Sequence, residues 1–467
     1  MTQRKILVEG LGFYGAISVV AGTMIGTAIF VVPSLMLTQA GTPSKVLVIW
    51  VVAGGLSLFG ALGYAELGAA LPEAGGEYVY LFRAYGPGMG FLYGWTQFIV
   101  AKTASIAAIA TGFLLYAAYF FPGLERTIWR QPLAFAGHHF ALTLTGVQIG
   151  SAALILLISG LNVLGVRRSG AVQTIFTVAK IAVLIVIIVA GLVIGRGSWD
   201  HFQAAAGLRH LPGGAFAGLG IAMVSALWAY DGWNNLSMVA GEVKRPQRNV
   251  PAALIAGSLL VAAIYICVNI VYFYVLKPSE AAATRTIAAE AARHLLGPAG
   301  GSFVAVGVLI STFATLNGSI LAGSRIPYAQ ARDRLFPRPL AAVHPRYRTP
   351  AAAIAAQAAI AGIFALSGRY EALYTKAIYS EWVFYALVTA GIIVLRRREP
   401  ALPRPYRTWG YPVVPAVFVL LAAVLLTWTF FSARSDVLWC LALIASGVPA
   451  YFLWKLWTRY AAESHRK

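Results

Sequence analysis

The sequence predicts an all-α integral membrane protein of twelve transmembrane helices, ten of them forming two five-helix repeats of opposite orientation and two appended at the C-terminal end. Three observations predict it. Of 467 residues, 59% are apolar and only 11% charged, against about 45–50% and about 25% in an average soluble domain. The apolar residues gather in windows near the ~20 residues that cross a bilayer, and the mean hydropathy is +0.74. Finally, the first five windows recur in the second half at a near-constant offset of 201–209 residues.

Residues 1–12 (MTQRKILVEGLG) are short and basic and lack a small-residue cleavage pattern, so they read as a cytoplasmic tail rather than a signal peptide. Spans follow near 13–38, 44–70, 89–120, 145–163, 171–195, 214–241, 251–276, 298–328, 350–367, 372–395, 411–432 and 436–456, punctuated by Gly, Pro and Arg. Several exceed ~20 residues, which fits tilted or interrupted helices. Of the 36 Lys and Arg residues, 23 fall in the tails and alternate loops on one side and 10 on the other, while Lys102, Lys180 and Lys376 lie in or at the ends of spans. Short cytoplasmic loops are enriched in these residues, which puts both termini in the cytoplasm. The net charge of +20 then reads as a topology signal and an attraction to anionic lipid headgroups, without a nucleic-acid partner. The domain reading is 13–195 and 214–395 for the repeats, 196–213 as an extracellular loop, 396–410 as a cytoplasmic loop, 411–456 for the last two helices and 457–467 as a tail.

Five crossings is an odd number, so the second repeat enters from the opposite face, as in many secondary transporters. Such a repeat predicts that its first helix is broken at mid-membrane, freeing backbone groups for a ligand. The first span carries Gly22-Thr23-Met24-Ile25-Gly26-Thr27-Ala28, and the sixth carries Tyr230-Asp231-Gly232-Trp233-Asn234-Asn235 at the corresponding position. Glycine alone is often a close-packing contact, but Asp, Gly and two Asn are poor material for a continuous lipid-facing helix.

These stretches resemble the amino acid–polyamine–organocation superfamily, most closely prokaryotic relatives of its L-type amino acid transporter branch. The resemblance runs along essentially the whole chain. It includes Gly22 to Phe30; Tyr64-Ala65-Glu66-Leu67-Gly68 with Pro72 to Tyr78; Trp228 to Asn235 followed by Glu242 and Pro246 to Pro251; and Ser311-Thr312-Phe313 with Asn317-Gly318 and Ser324-Arg325. It implies a LeuT-like fold and alternating-access transport of L-amino acids in the cytoplasmic membrane, without a cofactor.

By the same resemblance, the substrate carboxylate is assigned to the backbone of Gly26, Thr27 and Ala28 and its amine to the carbonyls of Met24, Trp228 and Asp231, with Ile25 and Ala229 also among the substrate-binding residues. Broken helices suit this task because the resumed helix offers free N–H groups and the interrupted ends offer carbonyls. Ala28 departs from the family, where a third glycine is common, so the approach is narrower. Trp228 matches the family's aromatic gate, although a membrane Trp is also a packing or interfacial group. Trp233 and Asn234 read as supports of the unwound segment or as ordinary packing. Lys180 is a bare ammonium in VQTIFTVAKIAVLIVII and needs an interior partner. It matches a fifth-helix lysine that occupies the ion region of sodium-coupled relatives, which implies sodium-independent transport with Lys180 bridging to the first span. Asp231 and Glu381 stand as contacts for a cationic substrate or as partners of Lys180, Lys376 or backbone amides. Lys102 stands as a gate or a cytoplasmic-side contact.

Cys267 and Cys440 lie within apolar spans, which supplies neither a disulfide framework nor a CxxC metal site. Eukaryotic members often join a heavy subunit through a cysteine in the loop between the third and fourth helices, and residues 121–141 contain none. A membrane enzyme would want His, Asp or Glu clustered within spans, yet His138, His139, His201, His210, His294, His344 and His465 fall in loops, tails or span ends. No GxxxxGK[ST] run supports an ATP-driven pump, and the carrier-like breaks argue against a channel. The resulting reading is a sodium-independent exchanger of L-amino acids, neutral ones favoured, with the alternative of a cationic amino acid or polyamine transporter whose proton coupling is left open.

Overall fold

A computed structural model describes residues 10–73, 75–135, 138–164, 169–206, 214–347 and 349–464. Residues 1–9 and 465–467 of the predicted tails, Arg167, Arg168, Arg209 and Arg348 of the charge count, and His210 and His465 lie outside the described residues.

Among the described residues, ten helices are long and apolar enough to cross a membrane, and Phe216–Tyr230 and Ala351–Ser367 are shorter apolar helices, so the twelve spans appear where the apolar windows place them. The first span is α1 (Phe13–Met24) and α2 (Ala28–Ala40), separated by a break. Gly41, at φ 88°, closes α2 in the left-handed conformation that favours glycine, and the second span is α3 (Pro43–Ala70), which opens on Pro43 where its missing N–H costs nothing. A short α4 (Glu77–Tyr85) precedes the third span, formed by α5 (Pro87–Thr96), a π-helical turn at Gln97–Ala101, and α6 (Lys102–Ala117).

Between the third and fourth spans, the expected loop is instead an antiparallel hairpin of β1 (Thr127–Phe135) and β2 (His138–Thr145), running from the pair Thr127/Thr145 to Phe135/His138. Its C-terminal strand alternates as Ala141-Leu142-Thr143-Leu144-Thr145, a period-2 signal that the apolar-window reading passes over. Thr145 and Gln148 then form a reciprocal capping box that starts α7 (Gly146–Val163).

The fifth span is α8 (Ser169–Ile194); the sixth is α9 (Gly214–Tyr230), a non-helical stretch, and the short α10 (Asn235–Met238); the seventh is α11 (Pro246–Val275). After α12 (Pro278–Ala283), α13 (Ile287–Gly323) kinks at Gly297 before forming the eighth span, and α14 (Arg325–Arg332) follows it. The remaining spans are α15 (Ala351–Ser367), α16 (Tyr370–Arg398), α17 (Val413–Ser432), and α18 (Arg434–Ala445) with α19 (Gly447–Ser464).

The packing divides the spans into groups. The first, second, sixth and seventh pack on one another through α1·α11, α3·α11, α2·α9 and α3·α9, while the third, fourth, eighth and ninth pack through α6·α7, α6·α13, α6·α15 and α7·α15. The fifth span, α8, touches α1, α11 and α13, and the tenth, α16, touches α6 and α9, so each sits at a seam between the groups. At the face bearing the Arg-rich loops, Glu66 of α3 accepts Arg396 through both oxygens at 2.8 and 2.6 Å and the Thr408 N–H at 2.8 Å, while the Arg396 guanidinium lies 3.6 Å from the Tyr411 ring centroid.

Candidate functional site

Both predicted breaks are present and they meet. Helix α1 ends at Met24, where Ile25 leaves helical geometry at ψ 79°, and Gly26 N–H turns back to the Met24 carbonyl at 2.7 Å. Helix α2 then begins after Thr27, so the N–H groups of Ala28 and Ile29 have no acceptor within the helix. In the sixth span, Gly232 adopts φ 109°, and a Cβ there would stand 3.0 Å from the Thr23 carbonyl carbon and oxygen, so the turn and the close approach both require glycine. Thr23 Oγ1 donates to the Gly232 carbonyl at 2.8 Å, tying the two breaks together.

These segments line an inner pocket of about 30 Å³, walled by Met24, Gly26, Thr27, Ala28, Trp228, Asp231 and Gly232, with Lys102 and Ser105 from the third span and Thr315 and Ser319 from the eighth. That is room for about two waters, so an amino acid needs the walls to part. The resumed helix presents N–H groups and a positive dipole end, suited to a carboxylate. The Met24 carbonyl already accepts Gly26 N–H and, at 2.8 Å, the Tyr265 hydroxyl, which also reaches the Ala229 carbonyl at 3.1 Å. A carbonyl oxygen has two lone pairs, so an incoming ammonium finds freer acceptors in the sixth-span carbonyls and the Asp231 carboxylate.

Above the pocket, Trp228 Nε1 donates to the Tyr370 hydroxyl at 3.0 Å, and that hydroxyl meets Thr27 Oγ1 at 3.4 Å. The Trp228 ring stacks on Tyr374 with centroids 6.0 Å apart and planes at 12°. Beyond this lid opens a cavity of about 1360 Å³ lined by Leu35, Thr38, Arg130, Thr143, Tyr370 and Asp436, among others. The opposite end is closed by Lys102 Nζ on Asn235 Oδ1 at 3.2 Å, Arg325 on Glu242 at 3.3 Å and Tyr78 on Asp333 at 2.7 Å. Burial and the Asp333 carboxylate together push the Tyr78 phenol well above its ordinary range, so it stays a donor. Beside the first break, Lys180 Nζ donates to the Gly22 carbonyl at 2.8 Å and to Thr315 Oγ1 at 2.5 Å, with the ammonium fully buried.

The pocket thus lies between two broken helices, with a lid toward one face and the Arg325–Glu242 ion pair toward the other. The amino acid permease family profile covers residues 11–448. The chain belongs to the amino acid permease family. The permease is 35% identical over 451 residues to the b(0,+)-type amino acid transporter 1 of Homo sapiens, covering 96% of this chain and 88% of that protein. It is 32% identical over 460 residues to the serine/threonine exchanger SteT of Bacillus subtilis (strain 168), covering 97% and 98%. It is also 30% identical over 455 residues to the large neutral amino acids transporter small subunit 2 of Homo sapiens, covering 97% and 81%.

In this permease, Met24, Gly26, Thr27, Ala28, Trp228 and Asp231 come together on the inner pocket. Ile25, Ala229, Trp233, Asn234 and Glu381 do not line it. Ile25 and Ala229 are buried behind it. Trp233 packs edge-on against Tyr64 at 4.7 Å, Asn234 Nδ2 donates to Glu77 at 3.1 Å, and Glu381 accepts Gln97 Nε2 at 2.8 Å. Lys376 pairs with Asp436 near the large cavity rather than with Glu381 or Asp231. Tyr370, Tyr265 and Thr315 contribute to the site without a sequence signal stronger than a hydroxyl in an apolar span. Both cysteines are free, and the described residues hold no cluster of three or more His, Cys, Asp or Glu able to bind a metal.

Proposed function

We propose that this permease is a sodium-independent exchanger of L-amino acids, neutral ones favoured, that works by alternating access in the cytoplasmic membrane with both termini inside. The residues 13–195 and 214–395 act as the two inverted repeats, and the protein works without a disulfide-linked heavy subunit. The observation that carries the sodium-independent reading is Lys180, whose Nζ lies on the Gly22 carbonyl and Thr315 hydroxyl beside the break and so occupies oxygens that a mobile cation would otherwise use. The relatives named for serine/threonine exchange and for large neutral amino acids support exchange of neutral substrates.

The substrate carboxylate goes to the amino end of α2, at Gly26, Thr27 and Ala28, and its ammonium to the sixth-span carbonyls near Trp228 and Asp231. Ile25 and Ala229 support the walls, and Trp233 and Asn234 hold the unwound segment. Trp228 and Tyr370 part to admit substrate from the large cavity and close over it. Asp231 gives a second reading its footing: a carboxylate on the pocket wall also suits a cationic side chain. The deciding experiment is uptake of a panel of radiolabelled amino acids into proteoliposomes that are empty or preloaded, with and without sodium. Uptake of neutral amino acids that depends on preloading and is equal in both buffers supports the proposal. A sodium requirement overturns it, and preference for arginine or lysine moves Asp231 into side-chain recognition.

A further inference from the structure

On the face that bears the Arg-rich loops, a groove of about 460 Å³ runs between residues 337–339 and α19, sharing no residue with the inner pocket or the large cavity. Its walls are Pro337 and Pro339 on one side and Leu453, Trp454 and Trp457 on the other, and among the described residues Arg338 is the one charge on its lining. An aromatic floor closes it from beneath. Phe336 packs on Phe91, Trp95 and Phe98 of the third span with centroids 5.6–6.4 Å apart, and Tyr451 of α19 lies 5.3 Å from Phe91. Trp454 Nε1 donates to the Arg334 carbonyl at 2.9 Å, which fastens α19 to the turn that ends α14.

Exposed apolar side chains such as Leu453 and Trp457 are ordinary on a membrane helix; what sets this place apart is the charge beside them. Arg338 stands between two prolines, whose rings fix the backbone on either side. Arg334 holds the left-handed position at the end of α14, φ 61°, that glycine usually takes. Among the described residues, neither guanidinium has a hydrogen bond or an ion pair. The acid between them and α14, Asp333, already accepts Tyr78. Arg325 and Arg396 of the same face are paired with Glu242 and Glu66, so the charge left without compensation gathers at this groove. The Trp454 and Trp457 rings, 5.1 Å apart, mark the headgroup level, where membrane tryptophans collect.

Seven residues line the groove, against about 20–30 on each side of a stable protein interface, so its size suits a single lipid and not a second copy of the chain. We infer that the groove binds one anionic phospholipid of the cytoplasmic leaflet, with the phosphate on Arg338 and an acyl chain against Leu453 and Trp457. A guanidinium meets a phosphate through two parallel N–H donors, and the positive field of Arg334 beside it favours a headgroup with net negative charge. The choice of leaflet rests on the orientation proposed above; the binding does not. The site also reaches the closed inner end. Helix α14 begins at Arg325, bonded to Glu242, and is followed by Asp333, bonded to Tyr78. A lipid that joins Arg338 to α19 therefore steadies the helix between those two contacts, since a ligand stabilises the form that binds it.

Native mass spectrometry of the full chain, titrated with phosphatidylglycerol or with phosphatidylcholine of the same acyl chains, counts the lipids retained. The wild type is expected to hold one phosphatidylglycerol at concentrations where phosphatidylcholine is lost, and R338Q to need several-fold more. R346Q, which removes an exposed arginine of the same loop outside the groove, is expected to bind as the wild type does. Equal retention of the two lipids overturns the headgroup assignment. Equal weakening by R338Q and R346Q reduces the effect to diffuse surface attraction and overturns the site. A dimer that retains no lipid and separates in L453R puts a second copy in the groove and overturns it as well. Amide hydrogen exchange in nanodiscs gives the second readout: phosphatidylglycerol is expected to slow exchange across residues 325–341 relative to phosphatidylcholine in the wild type and not in R338Q. Equal exchange in both lipids overturns the link to the inner end. Neither readout needs transport, so a permease that binds phosphatidylglycerol but takes up no amino acid leaves this site standing while the proposed function falls.

Discussion

At Lys180 a single side chain both satisfies and fixes the first break. Its ammonium reaches the Gly22 carbonyl and the Thr315 hydroxyl, and Thr315 Oγ1 in turn lies 3.4 Å from the Ile25 carbonyl, so the unwound backbone is held from the fifth and eighth spans together. Replacing Lys180 by Met leaves these buried acceptors without their charged donor, a loss of about 1–3 kcal/mol. Counterflow in sodium-free buffer is expected to fall about tenfold or more, with Lys180→Arg no substitute because a planar guanidinium fork does not fit a site built for a compact ammonium. Wild-type initial rates in K180M vesicles would remove the residue from the mechanism. The identity of this residue as an interior cation was readable in the sequence, since nothing else in its helix is charged between Ser169 and Ile194. Its partners were not, because Gly22 and Thr315 are brought to it by packing of spans far apart in the chain.

Among the elements, the seam between α3 and α16 is the one most directly exposed to test. Glu66 is almost completely buried and takes both Arg396 bonds, and Arg404 approaches it to 3.5 Å. Glu66→Ala strands the Arg396 guanidinium at the end of a packed helix, while Arg404 keeps its backbone carbonyl acceptors, and removing one partner of such a pair costs about 3 kcal/mol. The midpoint of thermal unfolding in detergent is expected to drop by several degrees; an unchanged midpoint would show the pair to be solvated in practice. The spans and both breaks were legible because length, hydropathy and runs such as Tyr230 to Asn235 report directly on whether a membrane helix can continue. The hairpin at Thr127–Thr145 was obscured by a reading tuned to apolar windows. The π-helical turn had no signal at all, since QFIVA is ordinary helix material and its extra residue is absorbed only where Gln97 and Lys102 find buried partners. Glu381 reads as a deep acid from the sequence, but its separation from the pocket depends on which way α16 is rotated, a tertiary property.

For the molecule as a whole, the large cavity and the ion-paired end lie at opposite faces, so accessibility should have a side. In a C267A background that leaves only the buried Cys440, a cysteine at Thr127 on the cavity rim is expected to react with a membrane-impermeant maleimide in intact cells, and one at Arg338 only after permeabilisation. The reverse pattern would invert the topology read from the Lys and Arg distribution. The contact between Thr23 and Gly232 has a consequence for chemistry as well as for architecture. Because the two breaks touch at Thr23 and Gly232, the distance between the proposed carboxylate end and the proposed amine end is set where the two spans meet. The pair therefore acts as a gauge for a single intervening carbon. Alanine is expected to compete for uptake while β-alanine, with the same atoms and one more methylene between its charges, is not, and equal competition by the two would mean that the gauge has slack.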